Sequence, residues 1–345
     1  PQGRDVDFDE RLGVVFGQHR RHESGAETVG GEASAHAVGV EKANRLHGAV
    51  TVGLCLGENH YGRGGVRLAE TECLGGFVQY LTLHNGLSMP IVGFGTWSLR
   101  GGACVRAVRT AFDCGIGLVD TASFYENEWE VGRAVREAVR SGIPRESIFV
   151  ETKLYPTQYV DPEGALKESI EKLGLEYVDM MVLHHPGSGD VAVYRTLERA
   201  VERGLVRSIG LSNWYVKELT AFLPRVKTPP ALVQNEIHPF YQEQDVVPFI
   251  QKKGIAVQSW YPLGGRGWTR AILTHPTITG IAERLGKTPA QVVLRWHLER
   301  GVAVIPGSSD PAHIRENAEL FDFSLTKDDL RAIATLDRGE KHDWY

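Results

Sequence analysis

From residue 91 onward the chain alternates two apolar rhythms. Short runs rich in Val, Ile and Leu (IVGFG, LVDTA, IFVETKL, VDMMVLH, VRSIGLS, ALVQNEI, AVQSWYPL, VAVIPGS) read as strands buried on both faces, as a parallel sheet requires. Between them apolar residues recur at helical spacing: CVRAVRTAFDCG, EWEVGRAVREAVRSG, EGALKESIEKLG, VYRTLERAVERG, VKELTAFL, DVVPFIQKKG, PAQVVLRWHLERG and AHIRENAEL. That spacing gives one buried stripe per helix. Gly115, Gly142, Gly174, Gly204, Gly254 and Gly301 stand where a left-handed helix cap falls. Strands each followed by a helix imply parallel pairing with right-handed crossovers. Eight such units close most economically into an α/β fold of the (β/α)8 TIM-barrel type. An open doubly wound sheet is the alternative, but it would carry a GxGxxG turn after an early strand. Gly210, ahead of Ser212 and Asn213, does not supply one.

The flanks add two elements. YLTLHNGLSMP reads as an N-terminal β-hairpin around Asn85-Gly86, a pair suited to a two-residue type I′ turn. LTKDDLRAIATLD reads as an extra C-terminal helix, with Thr326 as N-cap and Asp328 and Asp329 in its first turn. Residues 1–77 keep neither rhythm. Glycine is about one residue in five there, against the usual ~7%, and Lys42 is the lone lysine. The expectation is an atypical extension, either a poorly ordered natural segment or upstream sequence translated in frame before a start near Val78. The barrel then spans 78–345.

Composition narrows the class. The net charge is -5 with no basic stripe, so nucleic acid is not an expected partner. No apolar run approaches the ~20 residues of a membrane-spanning helix. Cys55, Cys73, Cys104 and Cys114 form no CxxC pair, so reduced thiols in a cytoplasmic protein are expected, without a metal site. No exposed apolar repeat argues for assembly, and a monomer is the default.

Chemistry in such a barrel sits at the carboxyl ends of its strands. Asp120 ends LVD, with Tyr125 just beyond; Lys153 ends VETK; His184 ends MMVLH. Taken singly, a strand-end Asp is commonly a helix cap, a Lys a solvated end and a Tyr part of the core. Taken together in consecutive units, one pocket accounts for all four. Strand parity places Lys153 on the face of Glu151, and His184 on the face of Met180 and Val182, with His185 turned away. A buried lysine needs a partner, and Asp120 on the next strand is the natural one. A phenol beside that pair can give a proton to a carbonyl oxygen.

Seven stretches carry a more specific signal: LTLHNGLSMPIVGFGTW, GIGLVDTASFYENEWEVGRAV, VETKLYP, MMVLHHP, GLVRSIGLSNW, ALVQNEIHPF and IPGSSDPAHIRENAELFDFSL. With them the segment from about Val78 to Tyr345 resembles the aldo-keto reductases, and within them a bacterial branch similar to diketogulonate reductases. The resemblance implies NAD(P)H-dependent reduction of aldehydes and ketones. It places Asp120, Tyr125, Lys153 and His184 on the catalytic tetrad, with Tyr125 as general acid. It places Gly95, Thr96, Ser212, Asn213, Gln234, Leu263, Ser308, Ser309, Glu316 and Asn317 on the cofactor, with Trp260 stacked on the nicotinamide. Trp97, Phe124, Tyr155, His184, His185 and Trp214 are implied to line the substrate pocket.

Two departures bear on the coenzyme. Gly307 and His313 stand where NADP-selective members carry a lysine and an arginine, so NADPH is the first expectation and NADH stays open. Arg315 lies about 200° around the helix from His313. Lys153 is expected to bring the Tyr125 phenol down from its usual pKa of about 10. Two rivals stand beside the reductase: a non-catalytic nicotinamide-binding regulatory subunit of the same fold, and another barrel enzyme such as a phosphate-handling isomerase. The first would show an altered tetrad. The second would want a Glu or His base and no stacking Trp. The substrate is expected to be a small carbonyl or keto-sugar, with breadth favoured by the short tail after Asp337.

Overall fold

A computed structural model describes residues 67–73 and 76–342 of the chain. Its strands are β1 (Arg67–Cys73), β2 (Gly76–Thr82), β3 (Ser88–Pro90), β4 (Gly93–Gly95), β5 (Leu118–Asp120), β6 (Phe149–Leu154), β7 (Val178–Leu183), β8 (Val206–Ser212), β9 (Leu232–Glu236), β10 (Ala256–Trp260) and β11 (Val302–Val304). The helices are α1 (Gly101–Asp113), α2 (Glu128–Arg140), α3 (Pro162–Leu173), α4 (Asp190–Glu202), α5 (Val216–Phe222), α6 (Val246–Gln251), α7 (Gly265–Leu273), α8 (Pro276–Leu285), α9 (Pro289–Glu299), α10 (Pro311–Ala318) and α11 (Lys327–Ala334).

Strands β4 to β11 pair in sequence order, all parallel. The ends meet through a parallel bridge between Val92 and Val304, with Val304 N–H donating to Ile91 O at 2.9 Å. This is the expected TIM barrel, and each of the eight expected strands is present. The six glycines read as helix caps all have positive φ, from 60° at Gly174 to 103° at Gly142. Thr326 caps α11 by accepting from Asp329 N–H at 3.1 Å.

Packing follows the two faces of each strand. Outward residues such as Val119, Val150, Met181, Ile209 and Val257 meet the helices in one continuous core. Inward residues Leu118, Met180, Val182, Leu232, Ala303 and Ile305 form a second core inside the barrel. Leu81, Leu83 and Met89 of the hairpin join that inner core, and Asn85 Nδ2 donates to Ser208 Oγ at 2.6 Å. The hairpin therefore plugs the amino-terminal mouth.

Three expectations change. The turn at Asn85-Gly86 is not type I′, which needs positive φ at both residues. Only Gly86 has it (83°), and Gly86 N–H reaches Leu83 O while Leu83 N–H reaches Leu87 O. That is a three-residue loop, a turn closed by a left-handed glycine. The hairpin also gains a third strand, since β1 pairs antiparallel with β2 from Arg67–Thr82 to Cys73–Gly76. This pairing runs across the boundary expected at 77/78; residues 1–66 lie outside the described residues. Finally, α7 and α8 were not anticipated. α8 carries its own start and stop signals, Pro276 in the first turn and Gly286 (φ 63°) as cap. Its amphipathic stripe of Ile278, Ile281 and Ala282 is buried.

Candidate active site

At the carboxyl ends of the strands lies a cavity of about 750 Å³, within the range of small-molecule sites. Asp120, Tyr125 and His184 make its floor, with Lys153 just beneath. Lys153 is fully buried, ion-paired with Asp120 Oδ1 and also donating to Thr121 O at 2.9 Å and Tyr125 Oη at 3.3 Å. Its ammonium lies 4.8 Å from the Tyr125 ring centre. The His184 ring meets the Tyr125 ring edge-on, centroids 5.7 Å apart. Tyr125 is held on a short 3₁₀ turn (Ser123–Tyr125) directly after β5. Ser123 anchors that turn by donating to Lys153 O at 2.9 Å.

Charges on this floor are set by burial. Burial works against the Lys153 ammonium, but Asp120, Tyr125 and Glu151 together raise its pKa above the ordinary value. Burial pushes the Asp120 carboxyl up, and Lys153 opposes it. Burial also raises the Tyr125 phenol; Lys153 pulls it back and Asp120 pushes it further up. The expected net lowering of Tyr125 is therefore not met, because desolvation of the phenolate outweighs one ammonium that already serves a carboxylate. Burial, Lys153 and His185 hold His184 well below 6.5, so it is a neutral imidazole near neutrality.

Beside the floor, Asn213 sits at φ 66°. Its Nδ2 donates to His184 O at 3.0 Å and lies 3.1 Å from His185 Nδ1, while its Oδ1 accepts from Trp260 Nε1 at 3.2 Å. Gln234 Nε2 reaches Asp120 Oδ1 (3.1 Å), Glu151 Oε1 (2.7 Å) and Gln258 Oε1 (2.6 Å). One side wall is aromatic. Phe124 stacks between Trp97 (5.9 Å) and Tyr155 (4.4 Å), and Trp97 and Phe124 are 39% and 43% exposed at the mouth.

Most of the expected site residues line this one cavity: Gly95, Trp97, Asp120, Phe124, Tyr125, Tyr155, His184, Ser212, Asn213, Gln234, Trp260, Leu263, Ser308, Glu316 and Asn317. Four do not: Lys153 lies just beneath them, and three others stand elsewhere. Trp214 is 1% exposed and packs edge-on against Phe222 at 6.0 Å, because the positive φ at Asn213 turns the chain and sends the next side chain into the helix layer. Thr96 is buried behind the floor, donating to Asp120 O at 2.8 Å. Ser309 is exposed at the start of the loop leading to α10 and does not reach the cavity.

His185 lies on the cavity, among the pocket-lining candidates, but not on the face that strand parity gave it: both rings border the cavity, stacked 4.8 Å apart at 9°. β7 ends at Leu183, so strand parity no longer governs the two histidines. Residues not anticipated also line the cavity: Ser98, Tyr261, Arg266, Thr269 and Arg270. Arg266 Nη2 donates to Ser98 Oγ at 2.8 Å. Ser98 and Tyr261 have positive φ (69° and 50°), an uncommon backbone state that clusters at functional sites. A helix assignment over 265–273 would have found the two arginines; no local sequence signal marks the backbone strain. Arg315 does not border the cavity and instead acts electrostatically on Cys114.

The site thus joins a buried lysine–aspartate–tyrosine cluster to a mouth that carries Arg266 and Arg270. The sequence profile of the Aldo/keto reductase family matches residues 91–338, and the chain belongs to that family. It is 39% identical over 266 residues to an aldo-keto reductase of Mycolicibacterium smegmatis, covering 76% of this chain and 94% of that one. It is 38% identical to the methylglyoxal reductase DkgA of Yersinia pestis, with the same coverage. Among solved structures, MGS-M4, an aldo-keto reductase from a deep-sea metagenome library, superposes with a TM-score of 0.74 at 35% identity, covering 76% of this chain and 97% of that one. An aldo/keto reductase from Brucella melitensis gives 0.71 at 37% identity, covering 75% and 100%.

Proposed function

We propose that this chain is an NAD(P)H-dependent reductase of small aldehydes and ketones in which Tyr125 is the general acid. The observation that carries the reading is one buried ammonium, Lys153, touching both Asp120 and the Tyr125 hydroxyl beside a neutral His184. The residues present fit a nicotinamide cofactor. The cavity is lined by Trp260, by polar groups from Ser212, Asn213 and Gln234, and by Ser308, Glu316 and Asn317. When bound, that cofactor supplies the hydride.

The chain's own residues handle the proton. Tyr125 donates it to the carbonyl oxygen, and the resulting phenolate is stabilised by the Lys153 ammonium at 3.3 Å. Asp120 keeps Lys153 charged despite complete burial. A neutral His184 donates a hydrogen bond that orients the oxygen without competing as an acid. The aromatic wall of Trp97, Phe124 and Tyr155 excludes water and favours small flat or apolar carbonyls.

NADPH is the first coenzyme in this reading and NADH the alternative. The positions of Gly307 and His313 lack the expected cations, but Arg266 and Arg270 on α7 bring two guanidinium groups to the cavity wall, suited to phosphate oxygens. The similarity to a methylglyoxal reductase fits a dicarbonyl among the substrates. The regulatory-subunit alternative gains no observation, since all four floor residues are in place. The test is aldehyde-dependent oxidation of NADPH and NADH by the purified chain, with methylglyoxal and aryl aldehydes. Absence of turnover with both coenzymes across that panel would overturn the reading.

A further inference from the structure

The floor contains a second carboxyl that the reaction does not use. Glu151 lies on β6, two residues before Lys153 and directly opposite Asp120 on β5. It is 0% exposed, as is Lys153, and Asp120 is 1% exposed. Its Oε1 accepts from Gln234 Nε2 at 2.7 Å, its Oε2 is buried outside any such bond, and the carboxyl as a whole interacts with the Asp120 carboxyl and the Gln258 amide. Its neighbour on the other side, on β7, is Met180, which offers nothing polar. The titratable groups acting on it are Asp120 from β5 and Lys153 from β6, with only the neutral amides of Gln234 and Gln258 facing it from β9 and β10.

The charge count is decisive. Two carboxyls share one ammonium in a dry interior. An ionised Glu151 would set a second buried carboxylate against that of Asp120 with only amides and a shared ammonium to offset it, at a cost the fold avoids by keeping a proton. Asp120 already holds the ion pair, so the proton falls to Glu151.

We propose that Glu151 is a positioning residue that stores this proton beside the Asp120–Lys153 pair, and that losing it in alkaline solution switches off proton donation by Tyr125. Ionisation releases the Glu151 proton to solvent and leaves two carboxylates around one ammonium. Lys153 is then drawn toward both, and its hold on the Tyr125 oxygen weakens. Glu151 acts only through Lys153, Asp120 and the Gln234 amide that bonds both carboxyls. Burial first, then Asp120, pushes its carboxyl up to about 8 against the pull of Lys153, which places the switch in a reachable range. The kinetic part of this proposal rests on the reductase reading; the proton itself does not.

Infrared spectroscopy of the wild-type chain reads the proton directly. A protonated-carboxyl stretch is expected at neutral pH, fading with a midpoint near pH 8 and missing from Glu151→Gln. Its absence from the wild type at pH 6.5, or its persistence in the variant, would overturn the proposal. Should the variant fail to fold, the wild-type titration alone decides. In kinetics, a single ionisation near pH 8 lowers wild-type kcat/KM for aldehyde reduction about tenfold between pH 7 and pH 9. Glu151→Gln, which mimics the protonated acid, loses that limb. An unchanged limb in a folded variant overturns the switch. A wild type with no turnover overturns the reductase reading, while the infrared result still decides the proton. Stability gives a third readout: a carboxyl raised in the folded state costs stability as pH rises from its ordinary 4.5 toward 8. The melting temperature of Glu151→Gln should therefore gain on the wild type across that window; a constant difference counts against the stored proton.

Discussion

The two ends of the cavity are built on different terms. At the floor, Lys153 and Asp120 are buried on strand ends and His184 directly follows one, and their contacts run between neighbouring strands and the short turn that carries Tyr125. At the far end, Ser308, His313, Arg266 and Arg270 come from loops and short helices and stand partly or fully in solvent. A change at the floor disturbs a desolvated charge network. A change at the far end trades one exposed group for another. In the proposed reading the fold itself fixes the chemistry, while the choice of coenzyme falls to exposed residues.

The sharpest way to break this contrast is to remove the acid. Tyr125→Phe should lower kcat by about 10²- to 10⁴-fold, the usual worth of a positioned general acid. Quenching of Trp fluorescence by NADPH should persist, because Trp260 and the far end are untouched. Turnover near the wild-type value would remove Tyr125 from its role. Next comes Lys153→Met, which strands the Asp120 carboxyl inside the barrel. Breaking a buried pair from one side costs about 3–5 kcal/mol, readable by urea unfolding. Adding Asp120→Asn should recover part of that loss without restoring activity.

These floor residues were legible because their signals are local to a strand. A charged residue closing a Val, Ile and Leu run cannot be ordinary packing, and Asp120, Lys153 and His184 all close such runs. Glycine caps were equally plain. Where the polypeptide leaves the strand, legibility fades. His185 was among the pocket-lining candidates, yet parity gave it the wrong face because β7 stops two residues earlier. Trp214 was assigned to the pocket, yet the left-handed backbone at Asn213 sends it into the helix layer. The arginines of α7 escaped because its glycine-rich start, Gly264 to Gly267, hides the helical rhythm. Glu151 was noticed beside Lys153, but its role depends on Gln234 and Gln258 from distant strands.

Acid should act on the whole barrel rather than on one end. Burial, first among the causes for each, holds His184 well below 6.5, His185 at about 4 and His297 at about 3. The unfolded chain therefore binds protons that the native state does not as pH falls from 6.5 toward 4. Stability should drop across that window by up to about 1.4 kcal/mol per pH unit for each such histidine. His297→Gln should flatten a plot of melting temperature against pH; an unchanged slope would exclude His297 as a source.

At the far end the effects should be smaller. Arg270→Ala should raise KM for NADPH about three- to tenfold with kcat unchanged, in line with roughly 1 kcal/mol for an exposed charge contact. A fall in kcat instead would join this end to the chemistry and dissolve the contrast. Gly307→Lys sharpens the same point. A Cβ at 307 would lie 2.4 Å from Gly95 O, at the seam where the first and last barrel strands meet. The new cation should therefore give less than a threefold gain for NADPH over NADH, with some loss of thermal stability, since backbone must move to admit it.

The small sheet under the barrel has a consequence for handling the protein. β1 reads RLAETEC and β2 reads GFVQYLT. The charged strand is the outer one, and it occupies the hydrogen-bonding edge of the more apolar strand. A polypeptide trimmed to begin at Val78 would lose that cover and two residues of β2 itself. Its bare edge would then be open to strands from neighbouring copies. Shelf life in concentrated solution, rather than turnover, is where such trimming would be felt.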